Sequence, residues 1–265
     1  TGNEVTKDEV IRRNLLLQPG ERFDGGRLEL SFRGLDNLGY FDATRVSLDD
    51  VPGQPLYSDL LVSVEEGDTG NFNFGAGYNT EEGIGGFAEL QLNNFDPANW
   101  PSFTGGGQRF EARLDVGDTR NSYSLGWTNP EFLGYPLSAG FDIFNESYRV
   151  RGGADYEERQ TGVQLRFNKR ISPFLSSGWG ARYADVEVTD LPLSFLLNPR
   201  LRELGEDGTT VAVSWNIVRD SRDRRFDTST GSRHELETTL AGLGGDFNWW
   251  RVQHDSQWFR PLDED

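Results

Sequence analysis

From residue 68 onward, apolar and polar side chains alternate along the chain with a period of two. In one segment Phe110, Ala112, Leu114 and Val116 alternate with Arg109, Glu111, Arg113 and Asp115. This period is typical of a β-strand with one apolar face and one polar face. About ten segments show it, and they lie near residues 70, 87, 110, 123, 137, 163, 179, 211, 236 and 250.

Two kinds of structure could use this array of strands. Strands of a soluble sandwich run about five or six residues and meet across a dry core. Several strands here run about ten residues or more, which is the length that crosses a membrane in a tilted barrel strand. Aromatic residues near predicted strand ends fit the interfacial girdles of such barrels, namely Trp127, Tyr135, Tyr148, Trp249 and Trp258. The pattern favours an antiparallel transmembrane β-barrel, with a soluble β domain as the alternative.

The first 66 residues show a helical pattern instead. Thr6 and Glu9 have the spacing of a capping box, and we expect a helix from there to the Pro19-Gly20 pair, with apolar positions at Val10, Ile11, Leu15 and Leu16. A second helix is predicted over residues 26–38, with an apolar stripe of Leu28, Phe32, Leu35 and Leu38.

Two short strands follow the helices, over residues 44–48 and 59–64, with a turn at Pro52-Gly53 between them. A two-stranded ribbon is marginally stable alone. We therefore expect a third strand just before Thr1, and an α+β domain of two helices on a small mixed sheet.

Net charge and amino-acid composition argue against several classes of function. The net charge of −17 argues against a general nucleic-acid binder, because such proteins need a basic surface for phosphates. The chain has no cysteine, which excludes disulfides and thiolate metal sites. It has no apolar run of the length of a membrane helix and no N-terminal signal peptide, and it opens at Thr1, so we expect a mature or excised fragment.

Candidate catalytic groups are few. His234 and His254 are the only histidines, and neither has the surroundings of a triad or a metal site. We expect them to be pore-lining or interfacial. A charged cluster of Asp220, Arg222, Asp223, Arg224 and Arg225 could be an acid/base or metal site, but we expect a turn whose charges pair with one another. The sequence predicts no enzyme, no cofactor and no metal.

Glycine is unusually frequent in the first predicted strand of the array, at Gly70, Gly75 and Gly77. Glycine weakens a strand, and a barrel can open without breaking a hairpin only where its first strand meets its last. These glycines therefore predict a weak lateral seam. The alternative is that glycine fits a crowded lumen or lets a neighbouring ring lie over it.

Several segments resemble the outer-membrane β-barrel assembly factor (BamA) family. Residues 2–3, 7–23 and 35–46 resemble its periplasmic POTRA domain, and residues 62–83 resemble the junction with the first barrel strand. Residues 128–144 and 219–237 resemble later strands and a periplasmic turn. The resemblance implies a POTRA domain over residues 1–66, without its first strand, and the beginning of a barrel over residues 67–265.

Three departures from the family stand beside this resemblance. Asp227 stands where the family often has a proline, and VRGG at residues 150–153 comes too early to be the family's VRGF loop, so we interpret it as a polar loop. The predicted strands number about ten, where a family barrel has about sixteen.

The resemblance also implies a function: non-enzymatic insertion and folding of β-barrel proteins in the outer membrane of a Gram-negative-type bacterium, with the POTRA domain in the periplasm. The first strand would pair with clients at the seam, through Gly70, Asn71, Phe72, Asn73, Phe74, Gly75, Ala76, Gly77, Tyr78 and Asn79. The POTRA edge strand would be Thr44, Arg45, Val46, Ser47 and Leu48, and the periplasmic turn cluster would include Asp220, Arg222, Asp223 and Gly231.

Implied partners are unfolded outer-membrane proteins, accessory assembly lipoproteins, periplasmic chaperones and outer-membrane lipid, but not nucleic acid. Two other functions stay open. A two-partner secretion transporter shares POTRA domains and a barrel but conducts an unfolded passenger. A hydrolase would need a nucleophile and a base in proximity.

Overall fold

The computed structural model describes residues 1–54, 56–80, 83–150, 156–193, 197, 207–224 and 228–261. The chain forms two compact units. The first comprises Thr1–Phe72 and Leu90–Glu111, and the second comprises Asn73–Glu89 and Ala112–Asp265. Sequence reasoning did not anticipate that residues 90–111 would belong with the helices. The predicted boundary after residue 66 stays a prediction.

The first helix, α1, is shorter than predicted and spans Asp8–Arg12. Lys7 is its N-cap residue and makes no side-chain capping bond, so the predicted capping box is wrong. The Thr6 hydroxyl accepts a hydrogen bond from the Asn94 side chain instead, at 2.8 Å. Beyond the helix, the Leu16 backbone N–H donates to the Ser31 hydroxyl at 2.8 Å. In a helix that continued to residue 19, this N–H would instead donate to a backbone carbonyl of the helix.

The second helix, α2, spans Gly25–Asp36 and begins at Asp24, whose carboxylate accepts from the backbone N–H groups of Gly26 and Arg27. Leu35 of the predicted stripe is buried, but Phe32 is exposed. Ser31 is buried instead of Phe32. The Ser31 hydroxyl tolerates burial because it donates a hydrogen bond to the Arg27 carbonyl. The core of this unit is formed by Val10, Ile11, Leu35, Tyr40, Phe41 and Val64.

Strands β1 (Phe41–Asp50) and β2 (Ser58–Glu66) form an antiparallel pair, with Thr44 opposite Val64 and Leu48 opposite Leu60. Both strands are longer than predicted. On the other edge of β2, the Thr1 amino group donates to the Val62 carbonyl at 2.7 Å, and the Val64 N–H donates to the Thr1 carbonyl at 2.9 Å. These two bonds have the pattern of parallel strand pairing. A third strand before Thr1 stays a prediction.

Ten further strands form one sheet, and each of the ten predicted segments lies in one of them. The strands are β3 (Gly70–Asn79), β4 (Gly83–Phe95), β5 (Gln108–Gly117), β6 (Arg120–Asn129), β7 (Leu137–Val150), β8 (Tyr156–Ser172), β9 (Leu175–Thr189), β10 (Gly208–Asp220), β11 (Gly231–Ala241) and β12 (Trp249–Phe259). Each strand neighbours the next in sequence, and β3 and β12 stand at the two ends of the order. A closed barrel of more strands stays a proposal.

Cross-strand register places the alternating residues on two distinct faces. One row of directly opposite residues is apolar and runs through Leu125, Ile143, Val163, Tyr183 and Val211. The adjacent row is mostly polar and runs through Gly126, Asp142, Gln164, Arg182 and Ala212. Four of the five residues in the apolar row are among the exposed large hydrophobic residues, and Val211 is half-buried. An exposed apolar surface of this extent is typical of a surface that meets lipid or another protein.

Among the described residues, no helix combines the length and the apolar character that crossing a membrane requires. Of the VRGG segment, Val150 is the last residue of β7, and residues 151–153 lie outside the described residues.

Candidate functional site

Strand β3 stands at one end of the sheet order, where β4 is its neighbour among the described strands. Nine of its ten residues are exposed, and Gly75 is the half-buried one. Phe74 and Tyr78 on its apolar face are 77% and 73% exposed. The predicted seam strand is therefore one of the two strands, β3 and β12, at which the order of the described sheet ends.

The polar face of β3 is covered at one place. A Cβ atom on Gly75 would lie 2.8 Å from Cε1 of Phe87 in β4, whereas a Cβ on Gly77 would meet nothing within 4 Å. The interpretation that a neighbouring ring lies over the glycine therefore applies at Gly75. It does not apply at Gly77.

A charged network holds the other side of that ring. The Arg113 guanidinium carbon lies 5.6 Å from the Phe87 ring centroid. The same guanidinium donates to both carboxylate oxygens of Asp115, at 2.9 and 3.0 Å, and to Glu89 at 3.1 Å. Asp115 also accepts from the Ser122 hydroxyl at 2.8 Å. Contacts on this face therefore extend from β3 to β6.

The predicted POTRA edge residues lie in β1, which pairs with β2 on one side and packs against α2. Arg45, Ser47 and Leu48 are exposed, while Thr44 and Val46 are half-buried. Within the described part of the chain, the order of this sheet ends at β1. Its outer edge is thus geometrically able to pair with an added strand.

The charged cluster between β10 and β11 pairs with itself. Arg222 donates to both oxygens of Asp220, at 2.9 and 2.8 Å. Asp223 accepts from the hydroxyl of Ser229 and from the backbone N–H groups of Ser229 and Thr230, and these bonds hold the pKa of this exposed carboxyl well below its ordinary value. Gly231 begins β11. Arg225 and Asp227 lie outside the described residues.

The two histidines share a partner that sequence reasoning missed. The Ser256 hydroxyl lies 2.9 Å from Nδ1 of His234 and 2.9 Å from Nε2 of His254. The His234 ring also meets Trp258 edge to face at 5.0 Å. This contact depends on the pairing of β11 with β12, which puts His234 opposite Ser256. The sequence alone does not fix which residues of two strands lie opposite each other.

Within the described strands β11 and β12, this serine and its imidazoles lack the third group of a catalytic triad. The nearest carboxylates along both strands, Glu235 and Asp255, are opposite each other in register. Because side chains alternate along a strand, they face the other side of the sheet. A triad needs an acid that orients the imidazole. Among the described residues there is also no group of three or more metal-ligating side chains.

A polar cluster in the first unit was also missed. The Asn94 side chain donates to the Thr6 hydroxyl at 2.8 Å and accepts from the Gly107 N–H at 2.8 Å. Lys7 forms an ion pair with the buried Asp96 at 2.7 Å. A Cβ on Gly107 would lie 2.8 Å from a methyl group of Val10, so this close approach requires glycine. Most of these contacts join residues about ninety positions apart, and no local sequence pattern predicts them.

Glu66 fastens the N-terminal segment within the same unit. Its carboxylate accepts from the backbone N–H groups of Glu4, Val5 and Thr6 at 3.0, 2.9 and 2.6 Å. Burial acts to raise the pKa of Glu66, but the hydrogen bonds from the Thr6 side chain and these N–H groups lower it overall. Burial likewise acts to raise the pKa of Asp96, and the bonds from Lys7 and the Ala98 N–H outweigh it, so this pKa is also lowered.

Known protein families match both the β-rich part and the N-terminal part of the chain. The model of the Omp85 superfamily domain matches residues 102–265. The chain belongs to the Omp85 superfamily. Residues 1–67 match the POTRA family, described as a surface antigen variable number repeat. The resemblance to the BamA family, which is an Omp85 family, is thereby confirmed.

Individual Omp85 relatives align along nearly the whole chain. A protein of Treponema pallidum (strain Nichols) is 35% identical, over 91% of this chain and 32% of its own length. The outer membrane protein assembly factor BamA of Neisseria meningitidis serogroup B (strain ATCC BAA-335 / MC58) is 25% identical, over 99% of this chain and 34% of its own length. The chain thus spans about a third of the length of these curated relatives.

The fold agrees with a solved Omp85 structure. The crystal structure of BamA from Haemophilus ducreyi lacking POTRA domains 1–3 matches with a TM-score of 0.70 at 20% identity, over 99% of this chain and 51% of that one. At this identity the likeness shows the fold alone.

Proposed function

We propose that this chain is part of an outer-membrane protein assembly factor that inserts and folds β-barrel proteins, with β3 as the strand that pairs with clients. The observation that carries the proposal is the position of β3 at the end of a ten-stranded sheet, with nearly all of its residues exposed. The names of the BamA relatives support the same process.

The mechanism is β-augmentation. An incoming client strand accepts and donates backbone hydrogen bonds along the outer edge of β3, and these bonds satisfy groups that would otherwise be costly in lipid. The apolar face, with Phe72, Phe74 and Tyr78, meets lipid, while the alternate residues face the lumen. The client's own folding supplies the free energy, so the step needs no nucleotide and no covalent chemistry.

The parts of the chain take separate places in this scheme. Residues 1–66 form a POTRA domain in the periplasm, and residues 67–265 form the beginning of a barrel in the outer membrane of a Gram-negative bacterium. The exposed edge of β1, with Arg45, Ser47 and Leu48, offers pairing to clients, to accessory lipoproteins or to periplasmic chaperones. The turn cluster of Asp220, Arg222 and Asp223 holds the hairpin between β10 and β11 at the periplasmic side.

The relatives favour assembly over two-partner secretion, because three relatives that align over 92–99% of this chain are named as outer membrane protein assembly factors. The hydrolase alternative has a serine beside two imidazoles, but the neighbouring carboxylates of β11 and β12, Glu235 and Asp255, face the other side of the sheet. We therefore propose a non-enzymatic function without cofactor or metal.

A reversible lock on β3 tests the proposal. Asn73→Cys in β3 is combined with a cysteine in the strand that closes the barrel in the full-length protein, and insertion of an unfolded outer-membrane protein into vesicles is measured. Oxidation should abolish insertion and a reductant should restore it, because the locked edge cannot pair. This chain has no cysteine of its own that could compete with the introduced pair for disulfide formation.

The matched control places the lock inside the sheet. Ser138 and Asn168 are directly opposite in β7 and β8, and Ser138→Cys with Asn168→Cys should leave insertion unchanged after oxidation. If the β3 lock leaves insertion undiminished, β3 is not the pairing edge.

A further inference from the structure

The second compact unit contains a side-chain stack that reaches the edge strand, and its order is Gly75 in β3, Phe87 in β4 and Arg113 in β5. We propose that Phe87 is the positioning residue that holds β3 in register on β4 by blocking the shift that would bring Asn73 to its ring, so that the alignment of the outer edge of β3 is restricted. This inference rests on the proposed function, because it assigns a role to the register of the pairing strand.

Strand β3 has few features of its own that fix its register on β4. Register is weakly specified in strands that are rich in glycine and short of buried side chains. Strand β3 has three glycines, and nine of its ten residues are exposed. Its alternating pattern alone therefore holds it weakly against slippage along β4.

Phe87 of β4 packs where β3 has a glycine. The Phe87 ring occupies the place that a side chain at residue 75 would fill, since a Cβ there would lie 2.8 Å from Cε1. An aromatic ring laid across an edge glycine in this way restores packing that the glycine lacks. A shift of β3 by two residues in one direction would bring Asn73 under the ring, where no space is left for a side chain, so the ring opposes slippage in that direction. A shift in the other direction would bring Gly77 under the ring and would meet no such obstacle.

Arg113 of β5 keeps the Phe87 ring in place. Arg113 lies on the Phe87 ring and is itself held by two bonds to Asp115 and one to Glu89. A guanidinium fixed by carboxylates on both sides has few alternative rotamers. The ring is thus held between a glycine on the edge strand and a restrained cation on β5.

The test measures amide hydrogen exchange of residues 70–80 in the full-length protein in lipid nanodiscs, together with client insertion. Phe87→Ala should speed exchange in this segment at least about tenfold and slow insertion, while exchange in β8 and β9 stays unchanged. Phe87→Tyr should behave as the parent protein, because it keeps the flat ring. Ile84→Ala, on the opposite face of the same strand, controls for the loss of an exposed apolar side chain.

A pair of glycine variants makes the test specific. Gly75→Ala should speed exchange because it displaces the ring, and Gly77→Ala should not because its Cβ meets open space. In a Phe87→Ala background, Gly75→Ala should have no further effect. If the two substitutions only weakened β3 in general, their effects would add. Loss of the Gly75→Ala effect in the Phe87→Ala background would instead show that Gly75 and Phe87 are energetically coupled.

The outcomes separate this inference from the proposed function. Unchanged exchange in Phe87→Ala overturns the role of Phe87, while the β3 lock still decides whether β3 is the pairing edge. Faster exchange with undiminished insertion overturns the role of register in client pairing. Equal effects of Gly75→Ala and Gly77→Ala overturn the placement of the ring.

Discussion

At the scale of single residues, the contacts that organise the first unit are polar and buried. Thr6 is 3% exposed, Asn94 2% and Asp96 3%, and each of them has a partner within the unit. Sequence reasoning assigned Thr6 to a helix cap because the spacing to Glu9 fits one. The hydroxyl is engaged elsewhere, by a residue 88 positions away. Short-range motifs cannot anticipate such competition.

The lowered pKa values of Glu66 and Asp96 give the first unit an acid sensitivity. A carboxyl whose pKa is lower in the folded state stabilises that state above its ordinary pKa of about 4. This stabilisation is lost as the pH falls through the lower, folded value. We expect the protection of amides 4–6 against hydrogen exchange, corrected for intrinsic rates, to be constant from pH 7 to about pH 5 and to fall below about pH 4.

Asp96→Asn and Glu66→Gln divide this effect between the two groups. Each variant should lower the protection of these amides at pH 7 and should flatten its decline on acidification, because the ionisable group is gone. An unchanged pH profile in both variants would show that neither carboxyl is the source.

At the scale of elements, the ten strands were predictable and their ends were not. The period of two is a local property of the chain, so all ten segments near residues 70 to 250 were found. Strand ends depend on pairing: β8 extends to Ser172 because Ser172 pairs with Leu175, the first residue of β9, beyond a register shift between Arg170 and Ser172. The helix α1 was predicted too long for the same reason, because tertiary contacts decide where it ends.

The position of the candidate site was predictable only in part. Glycines in a first strand were visible in the sequence, and the strand does stand at the end of the sheet order. The ring over Gly75 and the contact of Ser256 with both histidines depend on cross-strand neighbours. Alternation says which residues share a face of one strand, but not which residue of the next strand lies beside them.

Within β4, Asn94 connects the strand to the N-terminal segment. Asn94→Ala removes the donor to Thr6 and the acceptor for the Gly107 N–H, and leaves the buried Gly107 N–H without that acceptor. We expect a loss of about 1–3 kcal/mol in the opening free energy of amides near residues 6 and 107, measured by hydrogen exchange. Asn93→Ala, on the opposite face of β4, should cost much less, and an equal loss in both variants would contradict the role of the Asn94 contacts.

At the scale of the whole molecule, the two faces of the sheet decide its environment. The apolar row through Leu125, Ile143 and Val163 is exposed in the structure. The polar face of the sheet carries charged pairs such as Arg166 with Asp142, whose Nη2 and Oδ1 atoms lie 2.8 Å apart. In water an exposed apolar surface of this extent would favour aggregation. In a bilayer it is the stable arrangement, provided that the other face borders a wet lumen.

Neighbouring residues of β6 allow this environment to be tested. Leu125 belongs to the apolar face and Ser124 to the polar face, since they are adjacent in one strand. Arginine on the lipid face near the middle of a bilayer costs about 2–4 kcal/mol, and substitutions in the lumen cost much less. Leu125→Arg should therefore lower the fraction of full-length protein that folds into lipid vesicles, measured as the heat-modifiable band on a gel, while Ser124→Arg should fold nearly as the parent does. If both variants fold equally well, the apolar face does not meet lipid, and the membrane-spanning interpretation of the ten strands fails with it.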